Sequence, residues 1–124
     1  MTKSDQEKDA ILKLSDSDKE QFINQLQSKV FKSLSHPTRL RIVKLLAGGP
    51  LCVCELVSEL GEEYANVSRH LSRLASAGVV TSQRQGTNVI YSLNCSCIIG
   101  FIGCLTDFII SHERERARMT RDIT

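Results

Sequence analysis

Between Glu55 and Leu93 the apolar period changes from helical to alternating, and that change limits the folds open to the chain. Glu55-Leu56-Val57-Ser58-Glu59-Leu60 reads as a short helix ended by Gly61. A second helix covers about Tyr64 to Ser76. Its Val67, Leu71 and Leu74 recur on one face, Ser68, Arg69, Ser72 and Arg73 fall largely on the other, and Ala77-Gly78 ends it. Val79-Val80-Thr81-Ser82-Gln83-Arg84 and Asn88-Val89-Ile90-Tyr91-Ser92-Leu93 are both β-rich, and Gln85-Gly86-Thr87 between them reads as a hairpin turn.

The flanking segments are helical. Leu26, Val30 and Leu34, with Phe31 beside them, predict an amphipathic helix from Phe22. Pro37 opens another, since proline is tolerated at a first helical position; it carries Leu40, Ile42, Val43, Leu45 and Leu46, and Gly48-Gly49-Pro50 stops it. Leu51-Cys52-Val53-Cys54 reads as a short strand running into the helix at Glu55. Near the C-terminus Ile98, Ile102, Leu105 and Ile109 alternate by four and three, a stripe suited to packing on another helix. We expect that stripe to pack across a twofold axis with the helix from Phe22 to Leu34.

The predicted fold is therefore mainly α with a small β-hairpin: a winged helix-turn-helix, dimerised through its N- and C-terminal helices, with the second short helix entering a major groove. Residues 1–20 hold four Lys against six Asp or Glu with little apolar pattern, so a flexible or partly helical arm is expected there. The main domain should span 21–118, with 119–124 as a tail. A chain of 124 residues fits one domain.

Charge supports a polyanion as partner. Residues 64–93 contain Arg69, Arg73 and Arg84 and no acid, whereas 55–63 carry four Glu. Arginine forks onto phosphates and guanine edges, and a surface facing phosphate should lack carboxylates. No residues arrange a nucleophile, base and oxyanion stabiliser, so no enzyme is expected. The polar start MTKSDQEKDA lacks the pattern of a secretory signal. The apolar run from Cys97 to Leu105 is shorter than the roughly 20 residues of a membrane span. A cytoplasmic location without membrane contact is the expectation.

Several ordered motifs then carry a resemblance. Ser35-His36-Pro37-Thr38-Arg39-Leu40-Arg41-Ile42, Leu51-Cys52-Val53-Cys54-Glu55-Leu56, Asn66-Val67-Ser68-Arg69-His70-Leu71-Ser72-Arg73-Leu74, Ala77-Gly78-Val79-Val80 and Arg84-Gln85-Gly86 resemble the ArsR/SmtB family over about residues 22–93. The resemblance implies a homodimeric repressor that leaves double-stranded operator DNA when it binds its inducer. It assigns Tyr64, Asn66, Ser68, Arg69, His70 and Arg73 to the recognition helix, and Arg84, Gln85 and Thr87 to the wing.

Five cysteines in a cytosolic chain should be reduced, and an odd number cannot all pair internally. Soft thiolates without accompanying His or carboxylate point to As(III), Sb(III), Cd(II) or Pb(II) as inducer. Cys52 and Cys54 would share a face if both lie on a strand, and a helix N-terminus favours the thiolate. In the family, cadmium sensors add cysteines from an N-terminal arm, and arsenic sensors commonly add one where this chain has Val57; neither is present. Family topology pairs Leu51–Val53 with about Tyr91–Leu93, which would bring Cys95 to Cys52 or Cys54 in the same protomer, with Cys97 as an extra ligand. Cys104 is expected to be buried without ligation. The family's zinc sensors share Asp-x-His on the last helix, but Asp107 is followed by Ile109, so that site is not expected. A thiol redox or persulfide sensor on the same scaffold is the alternative.

Overall fold

Helix ends in this chain have local causes that can be read atom by atom in the computed structural model, which describes residues 3–123. The elements run α1 (Lys3–Leu12), α2 (Asp16–Leu34), α3 (Pro37–Leu46), β1 (Leu51–Cys52), α4 (Val53–Leu60), α5 (Tyr64–Ser76), β2 (Val80–Gln85), β3 (Asn88–Leu93) and α6 (Cys97–Ile123). At the head of α2 the Ser15 hydroxyl accepts the Asp18 N–H, a cap worth about 1 kcal/mol. That cap, with Asp16 and Asp18 in the positive first turn, starts the helix before Phe22, where apolar spacing alone would place it. His36 caps α3 through Nδ1, which accepts the Thr38 N–H at 3.0 Å, and Pro37 follows in the first turn. Gly61 closes α4 at φ 64°, a left-handed conformation that glycine adopts without steric cost.

The three strands form one antiparallel sheet in the order β1-β3-β2. The β2–β3 ladder runs from Val80↔Leu93 to Gln85↔Asn88, which leaves Gly86 and Thr87 as a two-residue turn. Gly86 has φ 63°, as tight hairpin turns require. From Thr81 to Asn88 every residue is exposed, so this hairpin stands clear of the body as a wing.

The core collects Ile42, Val43 and Leu46 of α3, Leu56 of α4, Val67, Leu71 and Leu74 of α5, and Val79 and Val80 at the start of β2. Each such side chain contributes roughly 1.5–3 kcal/mol by leaving water. Ile98 and Ile102 also lie in this core, which splits the predicted C-terminal stripe. Ile98 and Ile102 pin the first turns of α6 to their own chain, while Leu105 and Ile109 are exposed along with Phe101, Phe108 and Ile110. From Gly103 to Asp122 all positions are exposed, and α6 stays helical through the segment expected to be a tail. Phe22, Ile23 and Leu26 of α2 are likewise largely uncovered. A helix this apolar beyond its own core needs another surface to cover it. Among the described residues no helix is long and apolar enough to cross a membrane.

Candidate nucleic-acid interface and thiol pairs

The faces of α5 are set by its burial pattern. With Val67, Leu71 and Leu74 inward, the helical period of 3.6 residues places Arg69 and Arg73 away from the core, and both are exposed, as is Tyr64. Asn66 and Ser68 lie half-buried on the flanks, and the Asn66 amide oxygen accepts from the Arg69 guanidinium. Arg84, Gln85 and Thr87 sit exposed on the wing. The structure thus presents two arginines on α5 and one on the hairpin without an intervening carboxylate from 64 to 93.

His70 takes a different position from its neighbours. It is half-buried and turns toward α3, its ring 4.4 Å from that of His36 and its Nδ1 3.3 Å from the Arg39 guanidinium. Burial, reinforced by the Arg39 guanidinium beside it, holds its pKa below the usual imidazole value, in keeping with a ring nitrogen that accepts from Arg39. Arg39 was not foreseen as a site residue. It is 7% exposed and ties three elements together. Its Nε donates to the Ser33 carbonyl at 2.6 Å and its Nη2 reaches the Lys32 carbonyl at 3.5 Å, both at the C-terminus of α2. No periodicity flags such a residue, because a buried arginine at a helical position shows only once its partners converge. Between α3 and α5 a cavity of about 250 Å³ is lined by His36, Arg39, Asn66, Arg69, His70 and Arg73, a cationic notch beside the exposed helix face.

Four of the five cysteines stand two apart in sequence, as Cys52/Cys54 and Cys95/Cys97. Cys52 ends β1 and caps α4, while Cys54 already belongs to the helix, so the two do not lie on one strand face as expected. Glu55 at the third helical position accepts the Cys52 N–H at 3.2 Å, forming a capping box with cysteine in the place of serine. The Glu55 carboxylate beside the Cys52 thiol holds that thiol above its ordinary range and Glu55 below its own. The expected gain of thiolate from the helix N-terminus is thus outweighed by an anionic neighbour.

The strand pairing is that expected, but its register carries Cys52 away from Cys95. Leu51 faces Tyr91 and Cys52 faces Ile90. From Ile90 to the end of β3 at Leu93 is about 10 Å of strand, and Cys95 lies beyond that end. Among the described residues no three His, Cys, Asp or Glu side chains gather closely enough to hold a metal ion. In this register Cys52 and Cys95 stand apart within the protomer. Cys95 pairs instead with Cys97, their sulfurs 2.8 Å apart at the head of α6, and the bond to Cys95 raises the Cys97 thiol. Cys104, expected to be buried, is exposed on α6.

Relatives agree with this geometry. The sequence profile described as "Bacterial regulatory protein, arsR family" matches residues 36–82, from the cap of α3 into the wing. The arsenic resistance transcriptional regulator ArsR2 of Pseudomonas putida is 50% identical over 66 residues, covering 52% of this chain and 57% of that protein. The HTH-type transcriptional regulator Rv0081 of Mycobacterium tuberculosis is 43% identical over 79% of this chain and 87% of its own length. Its crystal structure superposes with a TM-score of 0.68 over 77% of this chain and 96% of that one, at 33% identity. The homodimeric winged helix-turn-helix DNA-binding domain of Mb0332 from Mycobacterium bovis gives a TM-score of 0.71 at 25% identity, covering 81% of this chain and 94% of that domain. From the α5 face, the wing and these relatives together, the chain belongs to the ArsR family of bacterial helix-turn-helix transcriptional regulators.

Proposed function

We propose that the protein is a homodimeric cytoplasmic repressor that holds operator DNA through α5 and the wing and releases it when its cysteines capture a thiophilic species. The carrying observation is the set Arg69, Arg73 and Arg84 within a segment, 64–93, that holds no carboxylate, two on a helix exposed opposite its buried stripe and one on an uncovered hairpin. Tyr64, Asn66, Ser68, Arg69 and Arg73 face the groove in this reading. Arg84, Gln85 and Thr87 follow the neighbouring backbone, and His70 sets the angle of α5 from behind it. The notch beside α5 suits a phosphate oxygen.

The inducer is a soft ion, As(III) or Sb(III) in the first instance and Cd(II) or Pb(II) in the second. The named relative ArsR2 supports arsenic. Cys52, Cys54, Cys95 and Cys97 are the ligands proposed. Since no three such side chains gather among the described residues of one chain, a three-coordinate site at Cys52 and Cys54 draws its third thiolate from the second copy. Capture there would act on the first turn of α4, the first helix of the DNA-binding unit. A thiol-oxidation or persulfide sensor is the second reading, favoured by the contact between the Cys95 and Cys97 sulfurs.

The test uses double-stranded DNA selected by this protein from a random library, with binding followed by fluorescence anisotropy. Arg69→Ala and Arg73→Ala should weaken binding at unchanged melting temperature, and the loss of each phosphate contact should lower the salt slope by about 1. Titration of the complex with arsenite, antimonite, Cd(II), Pb(II) and peroxide then ranks inducers. Undiminished binding by the double arginine variant would remove α5 from the groove, and release by peroxide alone would favour the second reading.

A further inference from the structure

Arg39 stands where the close packing of the domain is interrupted. A cavity of about 200 Å³ lies on one side of it, between α2 and the end of α5, and the notch of about 250 Å³ lies on another, between α3 and α5. Val67, Leu71 and Leu74 hold the inner face of α5. Apolar burial fixes how deep such a helix sits, but it is non-directional, and beside two voids it does little to stop the helix tilting.

Across that gap runs one guanidinium with a different partner for each nitrogen. Nε donates to the Ser33 carbonyl at 2.6 Å, Nη2 to the Lys32 carbonyl at 3.5 Å and Nη1 to His70 Nδ1 at 3.3 Å. A guanidinium has no lone pair to offer, so His70 is the acceptor. The two carbonyls lie in the last turn of α2, whose partial negative charge suits a cation. Of the hydrogen bonds made by α5 side chains among the described residues, this one reaches another element, whereas that between Arg69 and Asn66 stays within the helix.

The same α2 carries Phe22, Ile23 and Leu26 uncovered, the face assigned above to the second copy. We infer that Arg39 is a positioning residue which, through His70, ties the recognition helix α5 to the end of α2 and so sets the spacing of DNA half-sites that a dimer accepts. The inference rests on the reading of the chain as a dimeric DNA-binding repressor. At 7% exposed, Arg39 needs no contact with DNA to do this. The wing begins at Val80, four residues after α5 ends, so helix and wing move together. A loosened tether therefore changes where each α5–wing unit stands more than how it grips one half-site. One added base pair shifts a half-site by about 3.4 Å and turns it by about 35°. Lysine separates the two ends of the tether: it keeps the charge but offers one nitrogen where three act here, so it can serve the α2 carbonyls while losing His70.

The experiment uses DNA selected by the full-length protein from a random library, and anisotropy measures affinity for that DNA, for versions with two base pairs added or removed between the half-sites, and for a single half-site. The wild type should lose at least tenfold when the spacing changes. Arg39→Lys and His70→Leu should bind the original spacing at least fivefold more weakly, distinguish the spacings by less than threefold, and hold a single half-site within threefold of the wild type. His70→Gln keeps an acceptor for Arg39 and should keep the wild-type preference. If Arg39→Lys does not fold, His70→Leu, at a half-buried position, carries the same test. A wild-type spacing preference in His70→Leu, or an equal loss on single and paired half-sites, would overturn the inference. Should the wild type select no DNA, the repressor reading fails by itself. The tether is then read from hydrogen exchange in the free protein, where His70→Leu should speed α5 and the last turn of α2 together at least threefold, and unchanged exchange there overturns it.

Discussion

Cys52-Val53-Cys54 and Cys95-Ser96-Cys97 share a spacing and a location at the head of a helix, but the fold handles them differently. The first pair straddles a direct passage from strand to helix, so Cys52 becomes the cap and its thiol stands beside Glu55. The second lies where β3 has already ended, and the sulfurs meet at 2.8 Å beside an apolar cleft. One motif has become a structural cap beside a carboxylate, the other an open dithiol. A spacing of two residues states how far apart two groups are along the chain, while the backbone between them decides whether one atom can bridge both.

The largest expected effect comes from separating the copies. Leu105→Glu with Ile109→Glu places charge on the exposed apolar face of α6 and should yield a monomer by sedimentation. Affinity for a two-half-site DNA should fall at least a hundredfold, because each half-site then binds alone. Arsenite capture at Cys52 and Cys54 should weaken with it. Undiminished capture by the monomer would take the second copy out of that site.

Next come the thiol substitutions read through DNA release. Couplings between inducer and operator are typically about 5- to 150-fold in affinity. Cys52→Ser or Cys54→Ser should remove the arsenite response, and Cys95→Ser or Cys97→Ser should weaken it by taking away a proposed ligand. Cys104→Ser should respond almost normally. An unchanged response in Cys52→Ser would take the first pair out of the site.

Glu55→Gln should have a smaller effect and one of defined sign. With the carboxylate gone, the raised Cys52 pKa falls back toward the ordinary thiol value, so more thiolate is present at pH 8 and alkylation by iodoacetamide should speed several-fold. Cys97 should react at its former rate. No acceleration at Cys52 would show that Glu55 does not govern it.

The smallest effect lies away from both pairs. Because the folded-state pKa of His70 is depressed, the unfolded chain binds the proton more readily, and stability rises with pH through that window. The contribution is complete above the ordinary imidazole range and is lost as pH falls through it toward the folded value. His70→Gln should flatten this slope in denaturant titrations between pH 5 and 7, as about the range in which imidazoles titrate. An unchanged slope would mean that another group carries it.

Much of the fold was legible because it is written locally. The α5 stripe of Val67, Leu71 and Leu74, the stop at Gly61 and the hairpin around Gly86 each depend on residues within a few positions of one another. The split of the C-terminal stripe was not legible. Ile98 and Leu105 look alike in sequence, and only contact with Val79 and the α3–α5 core decides that one is buried at home and the other left for a partner surface. The register of β1 on β3 was not legible for a related reason. The partner strand is the expected one, but two residues of antiparallel register move a side chain by about 7 Å along the neighbour.

By itself the sequence determined the helix-turn-helix, the wing and the carboxylate-free arginine face, because helical period, end caps, turn glycines and local charge are short-range properties of the chain. Tertiary structure alone decided that Arg39 bridges the end of α2 to His70, that Cys52 is a cap, and that Cys95 and Cys97 share a cleft with α2. Those outcomes require segments far apart in the chain to meet at atomic distance, and such meetings are fixed by packing and strand register, which no local pattern encodes.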